Sequence, residues 1–337
     1  MSSPCRHGFV ACLALVLAAC GPSPDEMQQL GGPTMGSSWS LKWYGAAGAR
    51  EVRTLVEAEL AEVDRVFSRW RDDSEIVRLN ATRSSEPVEV SARMAAALRL
   101  ALKLAQYTAG AYDPTVGPVT EVYRRARASG QVDESALAAA RQHVGHQRIA
   151  LDGSMLRKLD PEVQLDLDGI VAGLAADRIA GQLEATGVKS FFLDVTGEIL
   201  VRGAKPDGTQ WRAGIVDPER AEPGSEGAVA SLPMGDMALC TSGSYRNHVE
   251  SGGHSVHHIF DPRTGANATH RTVSASVLAR SAALADGLGT ALMVTGPEGA
   301  EGLLTGWPGE ERPAALLLVA REDGSLETLR VNWPRVD

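Results

Sequence analysis

The chain has 337 residues, of which 44% are hydrophobic and 22% charged, ordinary proportions for a globular protein with room for one large domain or two small ones. Its 42 acidic residues outnumber the 33 basic ones, a net charge of −9. Nothing in that balance offsets phosphate repulsion, which argues against a nucleic-acid surface and leaves small molecules and other proteins as the expected partners.

At the N-terminus, Arg6 and His7 precede an apolar run, Phe9 to Ala19, too short to span a bilayer and suited to a signal-peptide core. The run ends in Leu17-Ala18-Ala19-Cys20, small residues before a thiol. Residues 1–19 therefore read as a lipoprotein signal with Cys20 as the lipidated residue; the alternative is ordinary secretory cleavage beside an incidental cysteine. A lipid on Cys20 would tether a soluble domain to the outer face of a bacterial membrane. Cys5 and Cys12 would leave with the signal, so Cys240 would be the one thiol in the folded domain, with no internal disulfide. Residues 20–32, rich in Pro, Gly and polar side chains, read as a flexible tether, and 33–337 as a single domain.

Trp39 to Tyr44 alternates as a strand should, with Met35-Gly36-Ser37 at its entrance. Val52, Leu55, Val56, Leu60, Val63 and Phe67 recur at helical spacing, and Asp73 or Ser74 is placed to cap a short helix after them. A second long helix is expected from Ser91, a good N-cap, to Gly110. Pro114 then keeps Asp113 out of the helical region, which presents its carboxylate on a turning backbone. The same apolar-Asp-Pro pattern returns at Val216-Asp217-Pro218 and Phe260-Asp261-Pro262.

Short strands joined by Asp152-Gly153 are expected between Arg148 and Val163. Leu165 to Asp177 reads as a strand end passing into a Gly/Ala-rich helix that stops near Gly187. Glycines at such a helix start admit either a ligand phosphate or close packing on a sheet. Strands follow at Phe191 to Val195, Ile199 to Val201, Trp211 to Val216, Ala238 to Thr241, Ala314 to Ala320 and Leu326 to Val331, with a β-branched run from Thr272 to Val277. Between them lie a polar loop, Ala221 to Gly227, and a compact polar turn, Thr241 to Tyr245. Helices in blocks with meandering strands predict an α+β fold with mixed or antiparallel sheets.

Asp286 and Thr290 stand four apart in a helix expected from Ser281 to Val294, so a carboxylate and a hydroxyl share one face, apart from the apolar Leu284, Leu288 and Leu292. An all-oxygen pair suits a hard cation such as magnesium; a solvated helix face is the alternative. Gly287 and Gly289 each weaken that helix by roughly 1 kcal/mol relative to Ala, which points to something approaching closely there. His257 and His258 lie in a strand, so only one can face a site, as a structural group or as a base. No G-x-S-x-G, H-E-x-x-H or C-x-x-C pattern occurs, which argues against common hydrolases, zinc proteases and dithiol oxidoreductases.

Several motifs in order resemble the ApbE family, the FAD:protein FMN transferases. They are Met35-Gly36-Ser37, Phe67-Ser68-Arg69-Trp70, Asp73-Ser74-Glu75-Ile76, Tyr112-Asp113-Pro114-Thr115-Val116-Gly117, Asp166 to Asp177, Gly197-Glu198, Thr241 to Tyr245, His258 to Gly265, and Ala285 to Thr290. The resemblance implies a T-fold-like α+β architecture and magnesium-dependent cleavage of the FAD pyrophosphate. FMN would pass to a threonine or serine of an acceptor protein while AMP leaves. By matching positions it implies Asp286, Thr290 and the Gly169 carbonyl as metal ligands, with Asp286 and His258 catalytic and His258 the base. Met35, Trp70, Ala111, Tyr112, Asp113, Asp166, Ala172 and Phe260 would line the flavin nucleotide. It further implies an acceptor flavoprotein with an S/T-G-A-S/T-like motif, a subunit of a membrane redox complex, met on the periplasmic side of the inner or outer membrane. Many family members carry a lysine or another polar residue where Ala172 stands, and glycine is usual where Thr196 stands. Thr264-Gly265-Ala266-Asn267 only partly resembles an acceptor motif, so modification of the protein by itself is not implied. A magnesium-dependent FAD pyrophosphatase and a non-catalytic FAD-binding lipoprotein are the rival readings.

Overall fold

A computed structural model describes residues 25–216, 228–243, 248–251, 254–257, 260–266, 268, 270–308 and 312–335. The signal segment, Cys20, the loop 221–227 and His258 lie outside the described residues.

The chain opens with a hairpin, β1 (Gln28–Thr34) and β2 (Ser37–Tyr44), followed by helices α1 (Ala49–Phe67) and α2 (Glu75–Ala81). A short strand β3 (Val88–Glu89) leads into α3 (Ala92–Tyr107), α4 (Gly117–Ser129) and α5 (Glu134–Arg141). Next come β4 (Ile149–Asp152), β5 (Met155–Lys158), α6 (Asp168–Ala185), β6 (Ser190–Val195) and β7 (Glu198–Arg202). Beyond them are β8 (Trp211–Val216), β9 (Ala228–Met234), β10 (Ala238–Gly243), β11 (His248–Ser251) and β12 (His254–His257). The described chain finishes with β13 (Thr272–Ala279), α7 (Ala282–Thr305), β14 (Ala314–Ala320) and β15 (Leu326–Val331).

Eight strands form one sheet in the order β1-β2-β6-β7-β10-β13-β14-β15, with every neighbouring pair antiparallel. Alternation along the strands sends Trp39, Leu41, Trp43, Leu193, Leu200, Cys240, Val277 and Leu317 to one face, where α1, α6 and α7 cover them. The opposite face carries Val201, Leu239, Leu278, Leu316 and Leu318 beneath the β8–β9 hairpin, whose Trp211 meets Tyr44 and Phe192. A third, smaller cluster joins Val119 and Tyr123 of α4 to Leu137 and Ala140 of α5.

Caps act where the sequence placed them: the Ser74 and Ser91 side chains accept the Val77 and Met94 N–H groups. The expected helix to Gly110 ends earlier, at Tyr107, and the chain then turns through Gly110 at φ +81. α4 and α5 were not foreseen; Pro118 in the first turn and the Asp133 cap were their available signals. The tether expected over 20–32 is shorter than its composition implied, because Gln28 to Gly32 pair with β2 and the Trp39 ring packs against Gly32. Thr241 to Gly243, expected in a turn, continue β10 and pair with β13. Thr196, at φ +58 in the β6–β7 turn, holds a β-branched side chain in the left-handed region, which accounts for glycine being the ordinary choice there.

Glu59 of α1 is buried to 1% side-chain exposure and binds Arg93 of α3 together with Arg178 and Gln182 of α6. Burial pushes its carboxyl up, but the hydrogen bond and charge of Arg93, with Arg178, more than offset this and hold it below its usual value of 4.5. Glu59→Ala is expected to cost about 3 kcal/mol in urea denaturation, at the low end for a buried pair because both arginines remain partly solvated. Because the folded value is depressed, the carboxylate's contribution is complete above pH 4.5 and lost as pH falls through the folded value. Glu59→Gln should therefore show a flatter fall of stability in acid than the native protein.

Candidate active site

Three hairpin or strand ends lie at the same edge of the sheet: the Met35-Gly36 turn, the Thr196-Gly197 turn, and the end of β10 at Ser242-Gly243. The N-terminus of α6 and the first half of α7 meet over this edge. A Cβ on Gly173 would lie 2.5 Å from the Ala282 carbonyl oxygen, so the two helices touch backbone to backbone. Asp177 of α6 fixes the contact by accepting the Ser281 hydroxyl at 2.7 Å and the Ala282 and Ala283 N–H groups at 2.8 and 3.1 Å, the open donors of the α7 N-terminus.

This junction gathers the residues expected to hold a metal. Asp286 Oδ2 accepts the Gly173 N–H at 3.2 Å, across 113 positions of sequence. Thr290 follows one turn later, its Oγ1 within 2.8 Å of where a Cβ on Gly169 would sit. Asp286 is buried, and no basic side chain pairs with it among the described residues. Burial pushes its carboxyl up to about 7, against the Gly173 N–H, with Asp177 adding to the rise. A buried carboxylate without a countercharge, a hydroxyl and an adjacent backbone segment form a donor set that fits a hard cation. No group of three or more His, Cys, Asp and Glu suited to a metal occurs among the described residues, so the fit rests on mixed oxygen donors.

The tight spots at Gly287 and Gly289 have a protein cause. A Cβ on Gly287 would run into Leu104 of α3 and sit 3.0 Å from Ile170, and one on Gly289 would sit 2.8 Å from Ser242 Oγ. The close approach inferred from these glycines is packing by neighbouring elements.

The α6 entrance is charged. Asp166 accepts from Arg69 Nη1, from the Thr120 hydroxyl at 2.8 Å and from the Asp168 N–H at 3.0 Å. Asp168 lies 3.5 Å from the same Arg69 nitrogen and is 65% exposed. The protein around Asp168 and the charge of Asp166 push its carboxyl up while Arg69 pulls it down, and solvent moderates the rise. Tyr112 is buried beside Gly169, its Cε2 3.3 Å from the Cβ position, and its hydroxyl has no partner. At the start of β7, Glu198 has its Oε2 buried and unpartnered, and burial followed by the charge of Asp286 pushes its carboxyl well up.

Of the expected flavin-lining residues, Ala111, Tyr112 and Asp166 are buried against this entrance, and Ala172 is half-buried one turn into α6. Asp113 is engaged internally, accepting the Thr115 N–H and hydroxyl at 2.8 and 2.6 Å and the His146 N–H at 2.7 Å. The Phe260 ring stacks on Tyr123 at 5.0 Å, which leaves its backbone as the part able to line a ligand. Trp70 is 81% exposed and Met35, at φ +46, caps the first hairpin. His258 lies outside the described residues, so the base side of the site is not described. Arg69, Asp168, Asp177 and Glu198 had no role in the sequence reading; the run of acids Asp166, Asp168 and Asp177 along one Gly/Ala-rich segment was the available signal for two of them.

The model of the ApbE family matches residues 35–311. The chain belongs to the ApbE family. Among family relatives, the FAD:protein FMN transferase of Vibrio cholerae is 36% identical over 299 residues, covering 87% of this chain and 89% of the relative. That of Klebsiella pneumoniae is 33% identical, covering 89% and 86%. The structure of the Vibrio cholerae flavin transferase ApbE matches with a TM-score of 0.80 at 31% identity, over 91% of this chain and 97% of that one. The apo form of Pseudomonas stutzeri flavinyl transferase ApbE matches equally, at TM-score 0.80 and 31% identity, over 91% and 95%. Family membership and an α+β architecture with antiparallel sheets, both expected from sequence, are thereby established.

Gly173→Ala should destabilise the fold by about 3 kcal/mol, since the added methyl meets a rigid carbonyl rather than a side chain that can rotate away. Thermal unfolding would measure this.

Proposed function

We propose that the protein is an FAD:protein FMN transferase that moves FMN from FAD to a threonine or serine hydroxyl of an acceptor flavoprotein, requires magnesium, and releases AMP. The observation that carries this is the meeting of Gly169, Asp286 and Thr290 at the α6–α7 junction, in a chain whose family relatives bear that activity in their names. The Gly169 carbonyl, Asp286 and Thr290 would hold the magnesium. A bound divalent cation neutralises charge on a pyrophosphate.

The protein's own residues supply position and a dry setting. The Gly173 N–H orients Asp286, and the Asp177 cap fixes α7 against α6 so that Thr290 keeps its distance from Gly169. Chemically, the acceptor hydroxyl oxygen bonds to the phosphorus of the FMN half as the bond from that phosphorus to the AMP oxygen breaks. The hydroxyl proton passes to a base, and His258 is the candidate from sequence.

Incubating the purified protein with FAD, magnesium and an acceptor carrying an S/T-G-A-S/T-like motif should add the mass of one FMN to the acceptor. AMP and free FMN with unmodified acceptor would instead identify a pyrophosphatase, and stoichiometric bound FAD left unchanged a flavin-binding lipoprotein; either overturns the transferase. Asp286→Ala is expected to lower magnesium-dependent turnover by about 10²–10³-fold, as when one preorganised electrostatic group is lost. Full turnover in that variant would remove Asp286 from the site.

We further propose that Cys20 carries a lipid anchor that holds the domain at the periplasmic side of the cell envelope, beside an acceptor in a membrane redox complex. The support is the apolar run and small residues before Cys20. Among the described residues no helix is long and apolar enough to cross a membrane. Cys20→Ser should move the protein from the membrane to the soluble fraction of lysed cells; native protein already in the soluble fraction would contradict the anchor.

A further inference from the structure

Two side chains on the rim are carried by a backbone conformation that disfavours them. The β1–β2 and β6–β7 hairpins each close through two residues, Met35-Gly36 between the paired Thr34 and Ser37, and Thr196-Gly197 between the paired Val195 and Glu198. All four central φ angles are positive, +46 and +72 in the first turn and +58 and +106 in the second. A turn with two left-handed central residues is supplied most readily by Asn, Asp and Gly. Each of these turns has its glycine second and a full side chain first. Thr196 is the less suited of the two, because its Cβ is branched.

The second turn is fixed from several sides. The Thr196 N–H donates to the Ser38 carbonyl at 2.9 Å, which ties the turn to β2, and the Gly197 N–H donates to Asp194 Oδ1 at 2.8 Å. None of these bonds uses the Thr196 side chain, which is half-buried, so glycine at 196 would be held equally well. Strain that the fold sustains and takes no benefit from points to a role outside folding. The position agrees: β7 starts at this turn and lies beside β10, which carries Ser242 to within 2.8 Å of where a Cβ on Gly289 would sit, one residue before Thr290.

Two substrates come to this rim. The relatives are named for FAD and for a protein left unspecified, so FAD is common to them and the acceptor is the substrate free to differ. A side chain kept at a turn that glycine would serve without strain therefore answers to the acceptor.

We propose that Thr196 is an acceptor-specificity residue, its hydroxyl hydrogen-bonding a main-chain group of the acceptor segment that carries the target hydroxyl. This rests on the transferase assignment of the same site. A threonine hydroxyl both donates and accepts, so it can meet either a peptide N–H or a carbonyl. The strain is present in the free protein and the contact forms only in the complex, so the residue selects a partner at the expense of stability.

The test uses the full chain, FAD, and an acceptor carrying an S/T-G-A-S/T-like motif whose target residue is changed to alanine, so that binding is read without transfer. Thr196→Gly should weaken acceptor binding about fivefold by calorimetry, the size of one neutral hydrogen bond, and change FAD binding by less than about twofold. Thr196→Ser, which keeps the hydroxyl, should bind the acceptor within about twofold of the native protein. With an intact acceptor, the glycine variant should raise the acceptor KM about fivefold and leave kcat at saturation within about twofold. Its Tm should rise by about 1–3 °C, because the left-handed strain is relieved, whereas loss of a side chain with a structural role would lower it. Acceptor binding unchanged in Thr196→Gly, acceptor and FAD weakened alike, a serine variant as weak as the glycine one, or a lowered Tm each overturns the assignment. A native protein that transfers FMN while Thr196→Gly binds acceptor normally sinks the contact and leaves the transferase. Selective loss of acceptor binding in Thr196→Gly, with a native protein that binds acceptor and never modifies it, sinks the transferase and leaves the contact.

Discussion

The α6–α7 junction, where Gly173 leaves no room for a side chain against Ala282, sets the geometry of everything around it. Two helices can approach this closely only where a Cβ is missing, and Asp177 then spans the gap by capping the start of α7. Asp286 is consequently turned toward α6 and Thr290 toward Gly169. The eight-stranded sheet acts as the platform: its apolar face packs against both helices, and its strand ends bring the Met35 and Gly197 turns and the end of β10 at Ser242 to the same rim.

The electrostatics of the rim are unusual for a structural surface. Asp286 and Glu198 are held in protein with no cation bonded to either among the described residues, and each is pushed up by burial. A fold selected for stability alone would replace such groups with apolar ones of similar size. Asp166 shows the contrast, since Arg69, Thr120 and a backbone N–H satisfy it fully. The site therefore combines one acid fixed by its neighbours with others that lack a countercharge, a common arrangement where binding rather than folding completes the network.

Much of this was legible in the chain. Periodicity placed α1 and the strands β6, β7, β8, β10, β14 and β15, because a face of a strand or helix that must be buried writes itself into residue spacing. The pairing of Asp286 with Thr290 followed from a four-residue interval alone. What spacing could not carry was the partner across space: nothing near Gly287 announces Leu104, and nothing near Arg69 announces Asp166. Composition misled at Gly31-Gly32, where residues typical of a linker are part of an edge strand covered by Trp39 and anchored through Gly31 to Arg53. Thr196 was noticed as a departure, but only its positive φ explains why a side chain there is awkward.

Asp286 reaches Gly173 across 113 positions of sequence. Closing so long a loop is entropically expensive before the sheet between the two helices has formed, so the junction belongs to the late, non-local part of folding. A chain still folding would display α6 with its partner face bare until α7 arrives. Occupancy of the junction thus reports completion of the whole fold, and any ligand that grips both helices resists global opening instead of merely quieting a loop. The protein's activity and its protection from proteolysis are, by this geometry, expressions of a single cooperative unit.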